Sequence, residues 1–226
     1  MLGYLGSKGA SGAYQAIISQ MPPHDCYIES HFGAGTVMAH KPAALDNFGI
    51  DIDRQALTQA KKQFHGENIQ LIEADAVQFL RNFDYAAHGR VLIYVDPPYL
   101  AHTRTSKNRY RYEYSDDDHR ILLTTLRSIP ASVILSGYPS QLYSDLLPDW
   151  RTLEFQVMTR GGARTEKIWM NFPDGMAYSA AYAGTNYTDR QRIKRKAERW
   201  AAKYSQLPDA ERLAILSEML KHHETC

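Results

Sequence analysis

Cysteine is nearly absent from this chain of 226 residues: Cys26 and Cys226 are the only two. Two thiols so far apart make no disulfide framework. That excludes a stapled secreted scaffold and fits a reducing compartment, so a cytoplasmic location is expected. Long apolar runs are missing too. No stretch approaches the ~18 apolar residues that span a bilayer, and the opening MLGYLGSKGASG carries no charged-then-apolar leader pattern, so no membrane attachment is expected. Charge of one sign is also in short supply. With 26 Lys and Arg against 25 Asp and Glu, the formal net charge is +1, and contact with a polyanion must rest on local clusters. His and Cys do not cluster at zinc-binding spacing, so metal chemistry is not expected. Repeats and low-complexity segments are lacking. What is present is a composition of 44% hydrophobic residues, enough for one sizeable core in an α/β domain with an appendage.

Strand and helix signals alternate. Residues 26–30 (CYIES), 47–51 (NFGID), 69–73 (IQLIE), 91–95 (VLIYV) and 132–136 (SVILS) read as short strands. Between them, 53–64 begins on an acidic cap and carries apolar residues at helical spacing, and 115–127 opens with Ser-Asp-Asp-Asp before HRILLTTL. This alternation predicts a mostly parallel sheet with helices on both faces. The runs 153–158 and 167–171 flank TRGGARTE and predict an antiparallel hairpin at one end of that sheet. From residue 184 the texture becomes helical, first basic and then, past Pro208, amphipathic through Leu213, Leu216, Met219 and Leu220. Two units follow, 1–183 and 184–226. The apolar stripe is expected to pack on the domain or on the basic helix, a dimer contact being the rival, so the expected state is a monomer or weak dimer.

The chemistry concentrates where strands end. Val91 to Val95 is the uninterrupted apolar run of a central parallel strand, and it stops at Asp96, Pro97, Pro98 and Tyr99. Two prolines donate no ladder hydrogen bonds and fix their own φ, so the chain leaves the sheet stiffly beside a carboxylate. After the first strand, Gly33 and Gly35 suit a tight turn that lets backbone approach a ligand. The second strand ends on Asp51, placed to accept from ribose hydroxyls, whereas Asp53 suits a helix cap; the third leads to Asp75, at the rim where a ligand's base would lie. Acidic ends on successive strands point to a nucleoside-type ligand at the topological switch point.

The order YLGSKG, ESHFGAG, GIDID, EADA, DPPY, with the late EKIWMNF, resembles the S-adenosylmethionine-dependent N6-adenine DNA methyltransferases of the Dam type, over roughly residues 1–173. The resemblance implies a Rossmann-like class I methyltransferase fold with C-terminal helices, S-adenosylmethionine as cofactor, and DNA as partner. It implies that Tyr4, Gly6, Ser7 and Lys8 hold the methionine end of the cofactor, with Lys8 facing its carboxylate. Members of this family show Glu-Pro-Phe before the glycines, where this chain has Glu29, Ser30, His31, Phe32. Counted back from the glycines, His31 takes the aromatic position, which would make cofactor binding sensitive to pH near neutrality. The DPPY chemistry follows from adenine's amino group, a poor nucleophile because its lone pair is delocalised. Asp96 and the Pro97 carbonyl can accept its two N–H bonds, while Tyr99 stacks on the flipped base. Methylation of cytosine carbon is disfavoured, since it needs a cysteine nucleophile near the motif.

The recognition domain that Dam-type enzymes carry before DPPY is missing: about twenty residues separate Asp75 from Asp96. Nucleic-acid contacts are therefore expected from Arg104, Lys107, Arg109 and Arg111, interleaved with Tyr110, Tyr112 and Tyr114, from Arg160 and Arg164 in the hairpin loop, and from a basic helix over 189–203 that includes Arg192 and Arg195. The expected function is a compact adenine-specific DNA methyltransferase of relaxed or short-site specificity, stand-alone or phage-encoded, with no restriction module in the chain. An RNA adenine methyltransferase and a non-catalytic nucleic-acid-binding relative are the alternatives.

Overall fold

The structure, a computed structural model, describes residues 12–65, 68–103, 111–159, 162–174, 178, 183–184 and 187–223. Strands β1 (Cys26–Glu29), β2 (Asp46–Asp51), β3 (Gln70–Glu73), β4 (Val91–Val95) and β5 (Ser132–Gly137) are all parallel. β6 (Arg151–Thr159) and β7 (Gly162–Met170) form the expected hairpin, and β7 runs antiparallel between β5 and β6. The sheet order is β3-β2-β1-β4-β5-β7-β6. This is the Rossmann-like class I methyltransferase fold: the chain builds outward from β1 to β3, then restarts at β4 on the other side of β1. The reversal opens a crevice at the carboxyl ends of β1 and β4.

Helix α1 (Ala13–Ser19) precedes β1, and α2 (Thr36–His40), α3 (Arg54–Gln63), α4 (Ala76–Asn82), α5 (Asp116–Ser128) and α6 (Gln141–Leu146) join the strands. Their starts follow from side chains able to satisfy orphan N–H groups. Asp53 accepts from Gln55 N, Asp75 from Gln78 N and Ser140 from Tyr143 N, while Ser115 and Asp118 complete a capping box. β1 and β4 are buried at every residue, as a sheet covered on both faces requires. Cys26 is fully buried in β1, and burial pushes its thiol up to about 12, far from nucleophilic use.

Two expectations need correction. The hairpin strands are longer than the sequence suggests, pairing from Arg151 with Met170 to Thr159 with Gly162. Arg164 therefore sits within β7 opposite Val157, not in a loop, and its neighbour Thr165 is held by a 2.7 Å bond from Gln156. The chain also divides into two compact units, Met1–Ser179 and Ala180–Cys226. The second holds α7 (Tyr187–Ser205) and α8 (Asp209–His223), joined by local bonds such as Tyr204 Oη to Arg212 O. In α8, Leu213, Leu216, Met219 and Leu220 are 46–67% exposed, so the stripe is not covered by α7, one of its expected partners.

Candidate functional site

β1 passes into α2 through a tight turn, residues 30–35. Gly33 (φ 52°) and Gly35 (φ 61°) hold left-handed backbone, which side chains rarely tolerate. At Gly35 a Cβ would also lie 2.3 Å from the Phe32 ring and 2.9 Å from Phe64. Phe32 is the aromatic that packs inward, buried beneath the turn and edge-on to Phe64 of α3 at 5.5 Å. His31 is bonded elsewhere, with Nδ1 3.1 Å from Ser30 Oγ and Nε2 3.0 Å from Tyr114 Oη. Burial, helped by the nearby His119, lowers His31 to about 3. That direction favours the uncharged imidazole and runs against the titration near neutrality expected from the sequence.

The acidic strand ends gather around the same turn. Asp51 accepts from Gly33 N at 2.7 Å through one oxygen and from Asp53 N at 2.8 Å through the other. Those bonds fix the carboxylate at the rim of the switch point and leave each oxygen a further lone pair. Burial raises Asp51, with the two backbone donors opposing. Asp75 caps α4 and Asp53 caps α3. Beneath the turn, Glu29 accepts from Met38 N at 3.0 Å and from Tyr27 Oη at 3.2 Å. Burial, reinforced by the charge of Asp96, pushes it up to about 8. Lys41 lies close by, 4.3 Å over the Tyr27 ring, and burial pulls it down to about 8.

The stiff exit from β4 lies next to this turn, since Ser30 N donates to Tyr94 O at 3.0 Å. Asp96 is half-buried there and Pro97 is buried. Tyr99 is only 7% exposed and packs edge-on against Tyr138, ring centres 4.6 Å apart. The Tyr99 ring expected to stack on a base is thus largely buried among protein groups. Tyr138, which follows β5, accepts from Arg164 Nη1 at 3.2 Å. Arg164 accordingly braces the aromatic next to Tyr99. Sequence reasoning missed Tyr138; its one signal was an aromatic after glycine at a strand's carboxyl end (LSGYPS).

The structure therefore brings together His31, Gly33, Gly35, Asp51, Asp75, Asp96, Pro97, Pro98, Tyr99 and Arg164 along one edge of the first unit. Tyr4, Gly6, Ser7, Lys8, Arg104, Lys107, Arg109, Tyr110 and Arg160 lie outside the described residues. The Arg111 guanidinium reaches Asp53 at 3.1 Å and Gln55 at 2.9 Å at the rim, and its side chain is half exposed. Tyr112 is exposed, while Tyr114 is partly buried against His31. In the second unit, Tyr187, Arg192, Arg195, Glu198 and Arg199 line a groove along α7, with Arg192 bonded to Asp189 at 2.7 Å. Among the described residues no group of three or more His, Cys, Asp or Glu could hold a metal ion, and no helix is long and apolar enough to cross a membrane.

No protein-family model matches the chain, and no curated protein matches it. Solved structures resemble it at low identity. An rRNA methylase from Streptococcus thermophilus is 11% identical over 70% of this chain and 91% of that one, with a TM-score of 0.45. A precorrin 8w decarboxylase from Methanobacterium thermoautotrophicum is 14% identical over 75% and 97%, TM-score 0.46. A dimethyladenosine transferase from Plasmodium falciparum is 14% identical over 70% and 60%, TM-score 0.45. At this distance the likeness says nothing of what this chain acts on.

Proposed function

We propose that this protein transfers a methyl group from S-adenosylmethionine to the exocyclic amino nitrogen of adenine in DNA. The observation that carries this reading is the rigid Asp96-Pro97-Pro98-Tyr99 exit from β4, set beside the glycine turn and Asp51 across the switch point of a methyltransferase-type sheet. The donor set fits the cofactor. Asp51, its orientation fixed by two backbone N–H groups, would take the ribose hydroxyls, and Asp75 stands where the base would lie. The Dam-type resemblance assigns the methionine end to Tyr4, Gly6, Ser7 and Lys8.

The cofactor supplies a methyl carbon activated by a sulfonium. The protein's task is to make a weak nucleophile presentable. The Asp96 carboxylate accepts one amino N–H and the Pro97 carbonyl the other, which draws the nitrogen's lone pair out of the ring. Two prolines hold both acceptors before the base arrives, so little reorganisation remains for the transition state. The proton that the product amine must lose leaves by way of the Asp96 carboxylate. Tyr99 and Tyr138 form the aromatic wall for the extruded base, and displacement of Tyr138 from its Arg164 brace belongs to base entry.

Between Asp75 and Asp96 the chain contains only α4, a 3-10 turn at Tyr85–His88 and β4. With no recognition domain there, sequence discrimination is slight or confined to a short site. The test is transfer of radiolabelled methyl groups to duplex DNA, single-stranded DNA and RNA, followed by nucleoside analysis. Label in N6-methyldeoxyadenosine is expected. Label confined to RNA would overturn the DNA assignment, and a single long palindromic site on random-sequence DNA would overturn the relaxed specificity.

A further inference from the structure

The segment 111–115 is fastened at two points to the rim of the first unit. At one, the Arg111 guanidinium meets both oxygens of Asp53 at 3.1 and 3.2 Å and Gln55 Oε1 at 2.9 Å. Asp53 is itself joined to Asp51 by the backbone bond described above. At the other, Tyr114 Oη lies 3.0 Å from His31 Nε2, the two rings meeting edge to face at 5.5 Å. Ser30 Oγ holds the opposite nitrogen of that imidazole. Behind Tyr114 the ring of His119 stands at 5.4 Å. The phenol is shifted upward by burial and then by the charges of Asp75, Asp118 and Asp51. It therefore stands among the turn after β1 and the acidic ends that follow β2 and β3, the groups that face a nucleoside in the proposed reading.

We propose that Tyr114 is a wall of the nucleoside subsite and that His31 is its positioning residue. The proposal rests on the reading of this edge as an S-adenosylmethionine site. A tyrosine supplies a flat apolar surface of the right size for a purine or ribose and a hydroxyl that fixes its orientation. A neutral imidazole suits the second task, because it can hold the hydroxyl without adding charge opposite two carboxylates. The family pattern has an aromatic at position 31; here the aromatic surface comes from residue 114 and the imidazole serves as its anchor.

Binding of S-adenosylhomocysteine and of 5′-methylthioadenosine, which carries only the nucleoside half, tests this by titration calorimetry. Tyr114→Ala should weaken both by about tenfold or more, and Tyr114→Phe, which keeps the ring, by no more than about threefold. His31→Ala should fall between them. Thermal unfolding identifies any variant that fails to fold, and fluorescence anisotropy with a DNA duplex in the absence of cofactor should be unchanged across the set. Unaltered affinity of folded Tyr114→Ala for both probes would overturn the proposal while leaving the cofactor reading intact. An equal loss of DNA affinity would overturn it too, returning Tyr114 to the nucleic-acid surface. A wild-type protein that binds neither probe would overturn both readings.

Discussion

Asp96 touches substrate in the proposed reaction, while Asp51 and the glycine turn hold cofactor; this division has a measurable consequence. Asp96→Ala should lower single-turnover transfer by about 10³-fold or more, the order of effect of losing a preorganised acceptor, while S-adenosylhomocysteine affinity stays near the wild-type value. Equal loss of both would assign Asp96 to cofactor binding alone. A second consequence concerns protons. His24 is buried, stacked on Tyr178 at 3.9 Å, and burial lowers it to about 4. Below about pH 6.5 the unfolded chain protonates this imidazole and the folded chain does not. Its contribution to stability is therefore complete above that pH and declines as pH falls toward 4. Urea titrations at pH 7 and pH 5 should show a loss that shrinks in His24→Phe, by up to roughly 1.4 kcal/mol per pH unit. An unchanged difference would mean that other groups govern the acid limb. At this scale the sequence was readable where a residue acts through its neighbours in the chain, as in the proline pair. It was unreadable where residues 83 apart meet, as His31 and Tyr114 do.

Among the elements, those with local causes were the readable ones. The apolar run of β4, the acidic cap of α3 and the Ser115 box of α5 each announce themselves within a few residues, whereas Asp75, read as a ligand-facing strand end, also caps α4. The hairpin was readable as well, but not its length, because its two central glycines read as loop although pairing continues to Gly162; consequently Arg164, expected in the loop, sits in β7 and donates to Tyr138. Nor could the orientation of Arg111 be read, since its partners Asp53 and Gln55 lie on a different helix start. The α5 cap bears on function because it begins one residue after Tyr114. Ser115→Ala removes the hydroxyl that accepts from Asp118 N and should cost about 1 kcal/mol of stability. If the cap also holds Tyr114 in register, S-adenosylhomocysteine binding should weaken in the folded variant. Full retention of affinity would confine the cap to stability.

At the scale of the whole molecule, a nearly neutral chain concentrates cationic groups on α7. The groove face of that helix carries Arg195 and Arg199, and a cluster of this kind binds phosphates without reading bases. Replacing both with glutamate should weaken DNA binding evenly across sequences and reduce the slope of log affinity against log salt by about 2. Cofactor affinity should not change. An unaltered salt slope would mean that α7 is merely a solvated surface. The fold class, a mostly parallel sheet with an antiparallel hairpin and C-terminal helices, was visible in the alternation of patterns, which is a property of long windows. What covers the apolar stripe of α8 was not, because periodicity shows that a face is apolar without showing what lies against it. Cys26, sealed inside the central sheet, offers a built-in clock for this architecture. With Cys226 changed to serine it becomes the sole thiol, and its alkylation by a reagent in excess can proceed only when the sheet itself comes apart. The rate of that labelling would report how often the native state opens globally, with no dye or tag attached.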